Sequence, residues 1–270
     1  MRSTDPAEYE IDRINRRTYG DSRVVKEYGS VTGWLDPGER ACFDYARAVG
    51  AHGPLLDIGV GGGRTVPMMR AFSSAYVGID YTPALLRRAQ ENHPGVDLRE
   101  MDARRLDFAD GTFGLVSFSY NGIDSVGDTG RSQILREVHR VLEPGGLFCF
   151  SSLNHEGRSD RRLLRLPSSA EVLQPNLLLR WVRETLVSLR NMQQSRSLVR
   201  ETEKTSLRPI AAHFCGLIGR YTSLSEQIGE LEQHGFVVEA CFDNVTGSPA
   251  LGRVELEDVD CLHYVARKTA

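Results

Sequence analysis

Residues 55–65, LLDIGVGGGRT, place an aspartate shortly before a run of glycines, a combination suited to binding a ligand through backbone groups. Residues 55–58 are typical of a buried parallel strand, and glycines at four of the next five positions predict a loop almost without side chains. The segment from Arg64 onward can begin a helix, with Pro67 in its first turn. A strand, a glycine loop and a helix N-terminus together allow backbone to approach a nucleotide-like ligand closely.

The spacing of the glycines distinguishes between two kinds of nucleotide-like ligand. A dinucleotide loop requires G-x-G-x-x-G. Counted from Gly59, the third glycine would fall on Arg64, and counted from Gly61 it would fall on Val66. The sequence has D-x-G-x-G-x-G instead, beginning at Asp57. This spacing disfavours an NAD-dependent oxidoreductase.

A second carboxylate stands at a distance that suits a ribose. Asp80 ends the predicted strand AYVGID, seventeen residues after Gly63. In nucleotide-binding βαβ units an acidic residue about 20 residues beyond the loop contacts the ribose. A carboxylate can accept hydrogen bonds from the ribose hydroxyls. Capping of the following helix, TPALLRRAQ, is an alternative role for Asp80 and is compatible with the first.

The loop that begins at Asp57 resembles the first motif of class I S-adenosylmethionine-dependent methyltransferases. In that family the loop accommodates the methionine part of a cofactor that has no pyrophosphate. Further segments match the family in order: VDLREMDA as a third strand, FGLVSFSYNGID as a fourth, and a helix followed by LEPGGLFCFSSLN as a turn and fifth strand. Gly114 departs from the pattern, because many members have an aspartate there, and we expect cofactor binding to tolerate this change.

The resemblance implies S-adenosylmethionine as the cofactor and S-adenosylhomocysteine as the product formed from it. It places Met101 against the adenine ring and Asp102 at the adenine amino group. A solvated loop carboxylate is the alternative for Asp102, and a plain tight turn is the alternative for the glycine loop. The expected cofactor-binding residues are Asp57, Gly59, Gly61, Gly63, Asp80, Tyr81, Met101, Asp102, Ala103 and Ser119.

Methyl transfer from a sulfonium is an in-line displacement in which the charge on sulfur already activates the methyl group. The protein has to align the acceptor, exclude water and, for a neutral oxygen or nitrogen, remove a proton. His155 is the candidate base because the unperturbed pKa of histidine is near neutral, although an ordinary loop histidine is the alternative. Tyr120, after the fourth strand, is the second catalytic candidate. The expected acceptor-binding residues are Tyr19, Asn121, Asp124, Asn154, His213 and Tyr221.

The elements that must position these residues divide the chain into four parts. Residues 1–50 form an N-terminal helical lid segment with two candidate helices, AEYEIDRINRRTYG and DPGERACFDYARAVG, and with Tyr19, Tyr28 and Trp34 as lid aromatics. Residues 51–154 alternate strands and helices and predict the cofactor-binding α/β core. Residues 155–212 predict a helical insertion that serves as a substrate lid, and residues 213–270 return to the sheet.

The predicted fold class is therefore α/β, with a mostly parallel sheet, helices on both faces and a helical insertion. The family resemblance implies seven strands in the order 3-2-1-4-5-7-6, with strand 7 antiparallel. Within the insertion, LLLRWVRETLVSLRNM has apolar residues at helical spacing.

Charge is unevenly distributed along the chain. Residues 155–210 hold eleven Lys and Arg against six Asp and Glu, a net of +5, so the rest carries −8 of the total of −3. A basic lid would favour an acidic acceptor, bearing a carboxylate or phosphate, through steering and direct arginine contacts. Surface helices with solvated basic faces are the alternative.

Composition narrows the class of protein. The net charge of −3 argues against binding to nucleic-acid backbone, and no apolar run is long enough for a signal peptide or a membrane span. The five cysteines are scattered without metal-binding spacing, which favours buried thiols in a reducing cytoplasm and no metal. We therefore expect a cytoplasmic monomer or homodimer with a small-molecule substrate, and neither DNA nor a membrane as a partner.

Together these observations predict a methyltransferase that acts on an oxygen or nitrogen of a small molecule such as a natural-product intermediate, with acidic molecules that bear a carboxylate or phosphate included. The segment SYNGID lacks the (D/N/S)-P-P-(Y/F) motif typical of enzymes that methylate amino groups of nucleic-acid bases. A methyltransferase acting on a peptide or protein carboxylate or amine, or on tRNA, is one alternative. A regulatory protein that binds S-adenosylmethionine without turnover is another.

Overall fold

A computed structural model of the chain describes residues 6–30, 33–158 and 163–269. One sheet forms its centre, and helices cover both of its faces. The helices are α1 Pro6–Tyr19, α2 Ser22–Gly29, α3 Pro37–Ala48, α4 Val66–Phe72, α5 Pro83–Asn92, α6 Asp128–Val141, α7 Ser169–Leu173, α8 Pro175–Ser195, α9 Ala212–Cys215 and α10 Leu224–Gln233. The strands are β1 Leu55–Ile58, β2 Tyr76–Asp80, β3 Leu98–Glu100, β4 Phe113–Phe118, β5 Leu142–Asn154, β6 Arg200–Glu201, β7 Thr205–Ile210, β8 Leu217–Thr222, β9 Phe236–Asp243 and β10 Cys261–Lys268.

Seven of these strands confirm the expected α/β architecture. Strands β3, β2, β1, β4 and β5 lie side by side and parallel in that order. Strand β10 pairs antiparallel with β5, and β9 pairs antiparallel with β10. Strands β9 and β10 thus occupy the places of strands 6 and 7 in the expected order. The carboxyl ends of the five parallel strands meet at one edge, where open α/β sheets bind ligands.

The prediction of only seven strands was wrong, because the described part of the sheet has ten. Beyond the end of β4, Leu153 and Asn154 of β5 pair in parallel with β8, and β8, β7 and β6 continue as antiparallel neighbours. The insertion is therefore helical only in its first part. Pro209 in β7 lacks a backbone donor and weakens the strand pattern, yet it is tolerated because β6 spans only two residues and leaves this position unpaired on that side.

Side chains at the helix starts explain several boundaries. Asp36 accepts a hydrogen bond from the backbone N–H of Glu39 at 2.8 Å, and Pro37 stands in the first turn of α3, as the sequence predicts. Helix α2 was not predicted. It is only eight residues long, begins after an Asp21 cap and ends at Gly29, so its pattern is too short to show a clear period.

The hydrophobic core lies on both faces of the sheet. On one face Ile79, Val116 and Phe148 are buried, and on the other Leu55 and Leu115 are buried. Neighbouring residues of β4 thus pack on opposite faces, as the two-residue repeat of a strand requires. The described residues include no helix that is both long and apolar enough to cross a lipid bilayer.

A buried ion cluster joins the elements below the carboxyl ends of β4 and β5. The Arg131 guanidinium, with no exposed side-chain surface, pairs with Asp124 at 2.5 Å and with Glu230 at 2.8 Å. The other carboxylate oxygen of Asp124 accepts a hydrogen bond from the backbone N–H of Leu153 at 2.7 Å. The oxygen that pairs with Arg131 also accepts a hydrogen bond from Ser152 Oγ at 2.9 Å. Burial raises the pKa of Asp124 to about 6, and Arg131 opposes that rise. Asp124, an expected acceptor-binding residue, thus ties β5 to helices α6 and α10.

Replacing Arg131 with Met should lower the free energy of unfolding by about 3–5 kcal/mol, because it leaves Asp124 buried without a cation, and Glu230 keeps only Arg220 at 3.5 Å. Urea unfolding monitored by circular dichroism measures the change. Adding Asp124→Asn and Glu230→Gln to the same variant should restore part of the loss. A single Arg13→Met change, which removes only the exposed pair with Glu10, is the control and should have no measurable effect. If Arg131→Met changes the free energy of unfolding as little as Arg13→Met does, the cluster does not support the fold.

Candidate active site

A cavity of about 840 Å³ opens at the carboxyl ends of β1, β2 and β4. The strand ends supply Ile58, Asp80 and Phe118 to its wall. The N-terminal helices and the insertion cover it from the other side. Its lining therefore combines the glycine loop, the strand ends, α1, α2 and α8 and residues 211–214 around one cleft.

The glycine loop needs glycine for two separate reasons. Gly59, Gly61 and Gly63 have φ of 69°, 57° and 94°, a left-handed conformation that other residues adopt only with strain. Gly62 has no such angle, but a Cβ on it would lie 2.5 Å from the Tyr28 carbonyl oxygen and 2.7 Å from the Gly29 Cα. Helix α2 therefore rests directly on the loop, and the loop accommodates it by having no side chain there.

Asp80 fixes the loop and still faces the cavity. One carboxylate oxygen accepts the backbone N–H of Gly61 at 2.8 Å, and the other accepts that of Thr82 at 2.7 Å. Burial raises the pKa of Asp80, and these backbone donors oppose the rise. Each oxygen retains a lone pair for a ribose hydroxyl. The space beside Gly61 is open, since the nearest atom to an added Cβ would be 3.9 Å away. The loop and Asp80 thus fit the ribose and methionine parts of S-adenosylmethionine.

The wall next to Asp80 has the chemistry of an adenine site. Tyr81, Met101 and Ala103 line it, as the sequence predicts for cofactor-binding residues. Asp102 is placed differently: its carboxylate pairs with Arg16 at 2.8 Å and with Arg104 at 2.6 Å, and it is absent from the cavity lining. Its adenine contact stays a prediction. The Arg16 guanidinium also lies 4.1 Å from the centre of the Tyr81 ring, which joins α1 to this wall.

Asp57 supports the loop from below rather than lining the cavity. Its side chain is buried and accepts hydrogen bonds from Thr65 Oγ1 at 2.7 Å and from the Tyr76 hydroxyl at 3.0 Å. Its other oxygen has no hydrogen-bond partner among the described residues. Burial raises the pKa of Asp57 to about 6, against the effect of the two donors. Gly63 likewise lies outside the lining, where its carbonyl accepts His93 Nε2 at 2.8 Å.

Aromatic side chains surround the part of the cavity farther from Asp80. The Tyr28 ring lies 6.3 Å from Tyr19 and 6.2 Å from Tyr120, and Trp34 lies 6.4 Å from Tyr120, all edge to face. The Tyr19 hydroxyl is 2.9 Å from Ser125 Oγ. Burial raises the pKa of Tyr19 to about 12 and raises that of Tyr28 as well. These phenols are therefore neutral at pH 7, and the three expected lid aromatics do lie at the cavity.

Strained backbone is concentrated at the same place. Among the described residues, the non-glycine positions with positive φ are Tyr120, Asn121, His213, Phe214 and Cys215. Such residues cost energy and are found mainly where function requires a particular geometry. Side chains hold both segments: Ser151 Oγ accepts the backbone N–H of Asn121, and Asn191 donates to the Phe214 carbonyl.

His213 faces the cavity between two other polar groups. Its Nε2 is 3.2 Å from the Tyr28 hydroxyl, and its Nδ1 is 3.7 Å from a carboxylate oxygen of Glu27. Burial lowers the pKa of His213, and Glu27 and Asp21 oppose this shift. The imidazole is therefore neutral at pH 7. Glu27 and His213 are 186 residues apart, so no local sequence pattern links them.

Several predicted residues lie away from the cavity. His155 borders a separate surface groove, with its Nδ1 3.2 Å from Ser206 Oγ. Asn154 donates to the Leu256 and Val259 carbonyls and holds that loop. Tyr221 is buried under Arg208, whose guanidinium lies 3.6 Å from the ring centre. Asn121, next to the lining residue Tyr120, accepts from Cys261 Sγ at 2.8 Å. The structure therefore brings Tyr19, Tyr120, Ser119 and His213 to the cavity, but not these four.

Charged side chains of the lining are mostly paired. Arg64 binds both oxygens of Glu39, at 2.7 and 2.8 Å, and its guanidinium also lies 5.3 Å from the Tyr120 ring centre. Arg165, from the insertion, pairs with Glu171 at 2.6 Å. Sequence analysis did not single out Arg64 as a wall residue, and only its position after the glycine loop could have suggested it. Among the described residues of the insertion, Arg165 is the one basic side chain that lines the cavity.

Residues 55–146 match the family of methyltransferase domains. Among characterised relatives, the chain is 39% identical over 98 residues to a ubiquinone/menaquinone biosynthesis C-methyltransferase of Desulfotalea psychrophila. The alignment covers 35% of this chain and 39% of that protein, so the similarity spans well under half of the relative. The domain match over residues 55–146 includes the glycine loop and the strands beside it.

Two solved structures are similar over nearly the whole chain. The Burkholderia thailandensis 1,6-didemethyltoxoflavin-N1-methyltransferase, with bound 1,6-didemethyltoxoflavin and S-adenosylhomocysteine, has a TM-score of 0.60 and 14% identity, and covers 100% of this chain and 94% of its own. The CcbJ methyltransferase of Streptomyces caelestis has a TM-score of 0.59 and 17% identity, covering 94% and 98%. These likenesses confirm the class I methyltransferase fold, and with the domain match they support S-adenosylmethionine as the cofactor.

Asp57 should make the stability of the protein depend on pH in a defined direction. Its pKa is about 6 when folded and 3.8 ordinarily, so the folded state binds more protons between these values. Its contribution to the free energy of unfolding is then largest in acid and falls by about 3 kcal/mol as pH rises from about 4 to about 6. Urea unfolding between pH 4 and 7 should show a fall that is about 3 kcal/mol smaller in Asp57→Asn than in the wild type, because the variant keeps Asp124 and Asp80, whose pKa values burial also raises. Exposed Asp107→Asn is the control. Parallel curves for wild type and Asp57→Asn would contradict the assignment.

Proposed function

We propose that this chain, a class I S-adenosylmethionine-dependent methyltransferase by its domain and fold, methylates a small aromatic or apolar molecule held in the aromatic part of its cavity. One observation carries the proposal. The cavity of about 840 Å³ joins the glycine loop and Asp80 to the rings of Tyr19, Tyr28 and Tyr120 without a break. A cofactor and an acceptor can therefore lie in contact in one cleft.

Cofactor and acceptor would occupy different parts of this space. Asp80 and Met101 would hold the adenosine, and the backbone around Gly61 would hold the methionine part. When bound, the cofactor supplies an activated methyl group on a sulfonium. The remaining wall is formed by aromatic rings and by α8, which exclude water from the transfer.

The wall chemistry favours a flat, weakly charged acceptor. Edge-to-face rings offer large apolar contacts to an aromatic molecule. The lining carries Glu27, Asp80 and Glu184 against Arg64 and Arg165, and both arginines are paired, so it gives no support to the expected acidic acceptor. One structural neighbour has the small molecule 1,6-didemethyltoxoflavin bound, and the curated relative is named for ubiquinone/menaquinone biosynthesis. Transfer to oxygen, nitrogen or carbon is compatible with this wall.

His213 and Tyr28 would remove the proton when the acceptor is a neutral O–H or N–H group. The acceptor would gain a bond to the activated methyl group that the cofactor supplies, and would lose its own proton to these two residues. The acceptor proton passes to the Tyr28 oxygen while the Tyr28 proton passes to His213 Nε2, 3.2 Å away. Glu27 would stabilise the resulting imidazolium. In this scheme His213 takes the role that the sequence assigned to His155.

Calorimetric titration with S-adenosylhomocysteine tests the cofactor site. Asp80→Asn puts an amide N–H against the backbone donor of Gly61 or Thr82 and removes a charged acceptor, so affinity should fall about ten- to a hundredfold. Asp97→Asn is the matched control, because it removes an exposed carboxylate five residues after the end of α5 and should leave affinity unchanged. Unchanged affinity for Asp80→Asn would remove Asp80 from the site. Binding of NAD in place of S-adenosylhomocysteine would contradict the proposed function.

Release of S-adenosylhomocysteine with panels of phenols, aromatic amines and quinols tests turnover and the role of His213. With an O–H or N–H acceptor the rate should fall in acid, as His213 becomes protonated, and His213→Asn should lower kcat about 10²-fold and remove this dependence. His155→Asn is the control and should retain both rate and pH profile. Retention of the acidic fall in His213→Asn would contradict the relay. Cofactor binding without turnover on any acceptor would favour the regulatory alternative.

A further inference from the structure

Exposed apolar side chains are concentrated in the insertion. Of the eighteen large apolar side chains that are exposed among the described residues, nine lie between positions 164 and 189. Leu166, Leu173 and Leu186 are 87%, 80% and 60% exposed. Scattered exposed leucines are ordinary on a protein surface, but half of them in about a tenth of the chain indicate an interaction surface.

Four of the five exposed large apolar residues of α8 form one line along the helix, and the fifth, Val187, lies off it. Leu179, Val182, Leu186 and Leu189 are all exposed and follow one another at intervals of three, four and three residues. We name these four residues the apolar stripe. Trp181, Thr185 and Ser188 project from a different face of the same helix and line the cavity. The sequence shows this apolar spacing, and in the described structure the stripe faces outward.

The charges beside the stripe are basic. Arg183 and Arg190 are exposed and border it, each within one turn of Leu186. The acidic residues of α7 and α8 are Glu171 and Glu184, and they already pair with Arg165 and Arg180. The surface beside the stripe therefore offers cations without matching carboxylates, the combination found on helices that lie in a bilayer interface.

We propose that the α7–α8 insertion docks the protein on the surface of an anionic lipid bilayer, with the apolar stripe at the level of the headgroups. Arginine side chains at the border of the stripe would reach phosphates while the leucines enter the acyl boundary. The expectation that no membrane is a partner was based on the absence of a spanning segment. A surface helix does not need one.

A second copy of the chain fits the same surface less well. Arg183 stands next to the midpoint of the stripe, so a two-fold axis through the middle of the stripe would place two Arg183 side chains side by side. Like charges placed together in this way oppose association. Anionic headgroups can pair with these arginines, whereas the one carboxylate of a second α8, Glu184, is already paired with Arg180.

The location of the surface bears on the acceptor, a point that rests on the proposed function. Leu164 is 40% exposed and also lines the cavity, and α8 contributes to both the stripe and the cavity wall. Docking would hold the insertion side of the cavity against the bilayer. An apolar acceptor dissolved in the lipid would then reach the aromatic wall without crossing bulk water.

Flotation of the full-length protein with vesicles tests the docking. Vesicles of phosphatidylcholine with equimolar phosphatidylglycerol should carry the wild type, whereas phosphatidylcholine alone should carry little, and added salt should weaken the association. Leu186→Glu should reduce binding at least tenfold. Arg183→Gln and Arg190→Gln should each reduce it about fivefold, as one headgroup-level cation contributes about 1 kcal/mol. Val237→Glu is the matched control, since Val237 is 52% exposed on β9, and it should bind like the wild type.

Three outcomes would overturn the proposal. They are the absence of wild-type flotation with anionic vesicles at low salt, equal flotation of Leu186→Glu, and a dimer in light scattering that Leu186→Glu converts to a monomer. The last would assign the stripe to a second copy.

Calorimetry with S-adenosylhomocysteine on the same variants separates this proposal from the proposed function. Loss of flotation with intact cofactor binding supports a surface role for the stripe, and intact flotation without any cofactor binding would contradict the function alone.

Discussion

The contact between helix α2 and the glycine loop determines the shape of the site. Gly62 lies so close to Gly29 that a Cβ on Gly62 would be 2.7 Å from the Gly29 Cα. Asn92 of α5 donates to the carbonyls of both glycines, at 2.9 and 3.0 Å, and so fastens the two segments together. Because Glu27 and Tyr28 directly precede Gly29, this one contact brings the polar and aromatic groups of α2 over the cofactor loop. The glycine loop therefore lines the cavity on one side and packs against helix α2 on the other.

The sequence was sufficient to predict the cofactor half of the site. Strand periodicity, the D-x-G-x-G-x-G spacing and Asp80 are local signals, each contained within one βαβ unit, and the structure brings Gly59, Gly61, Asp80 and Met101 to one wall. Asp57 shows the limit of this reasoning. Its spacing placed it correctly at the end of β1, but only the packing shows that its carboxylate supports Thr65 and Tyr76 instead of facing the cavity.

The acceptor half depends on contacts that no local pattern records. His213 contacts Tyr28, although the two residues are 185 positions apart in the sequence. Both lie in short segments in which apolar residues show little periodicity. His155 and Asn154 were expected at the site because they follow a parallel strand, yet β5 continues into a pairing with β8 that diverts its end from the cavity. Strand β6 spans two residues, too few to leave a sequence pattern, and Gly219 and Arg220 interrupt the apolar residues of β8.

Our central proposal is that cofactor and acceptor come into contact in the space between Asp80 and the ring of Tyr28. The most direct measurement is a crystal structure of the protein with S-adenosylhomocysteine bound. The account predicts the ribose at Asp80, the adenine beside Met101 and the thioether sulfur directed toward Tyr28 and His213. A ligand whose sulfur points away from these rings, or one bound outside the cavity, would contradict it.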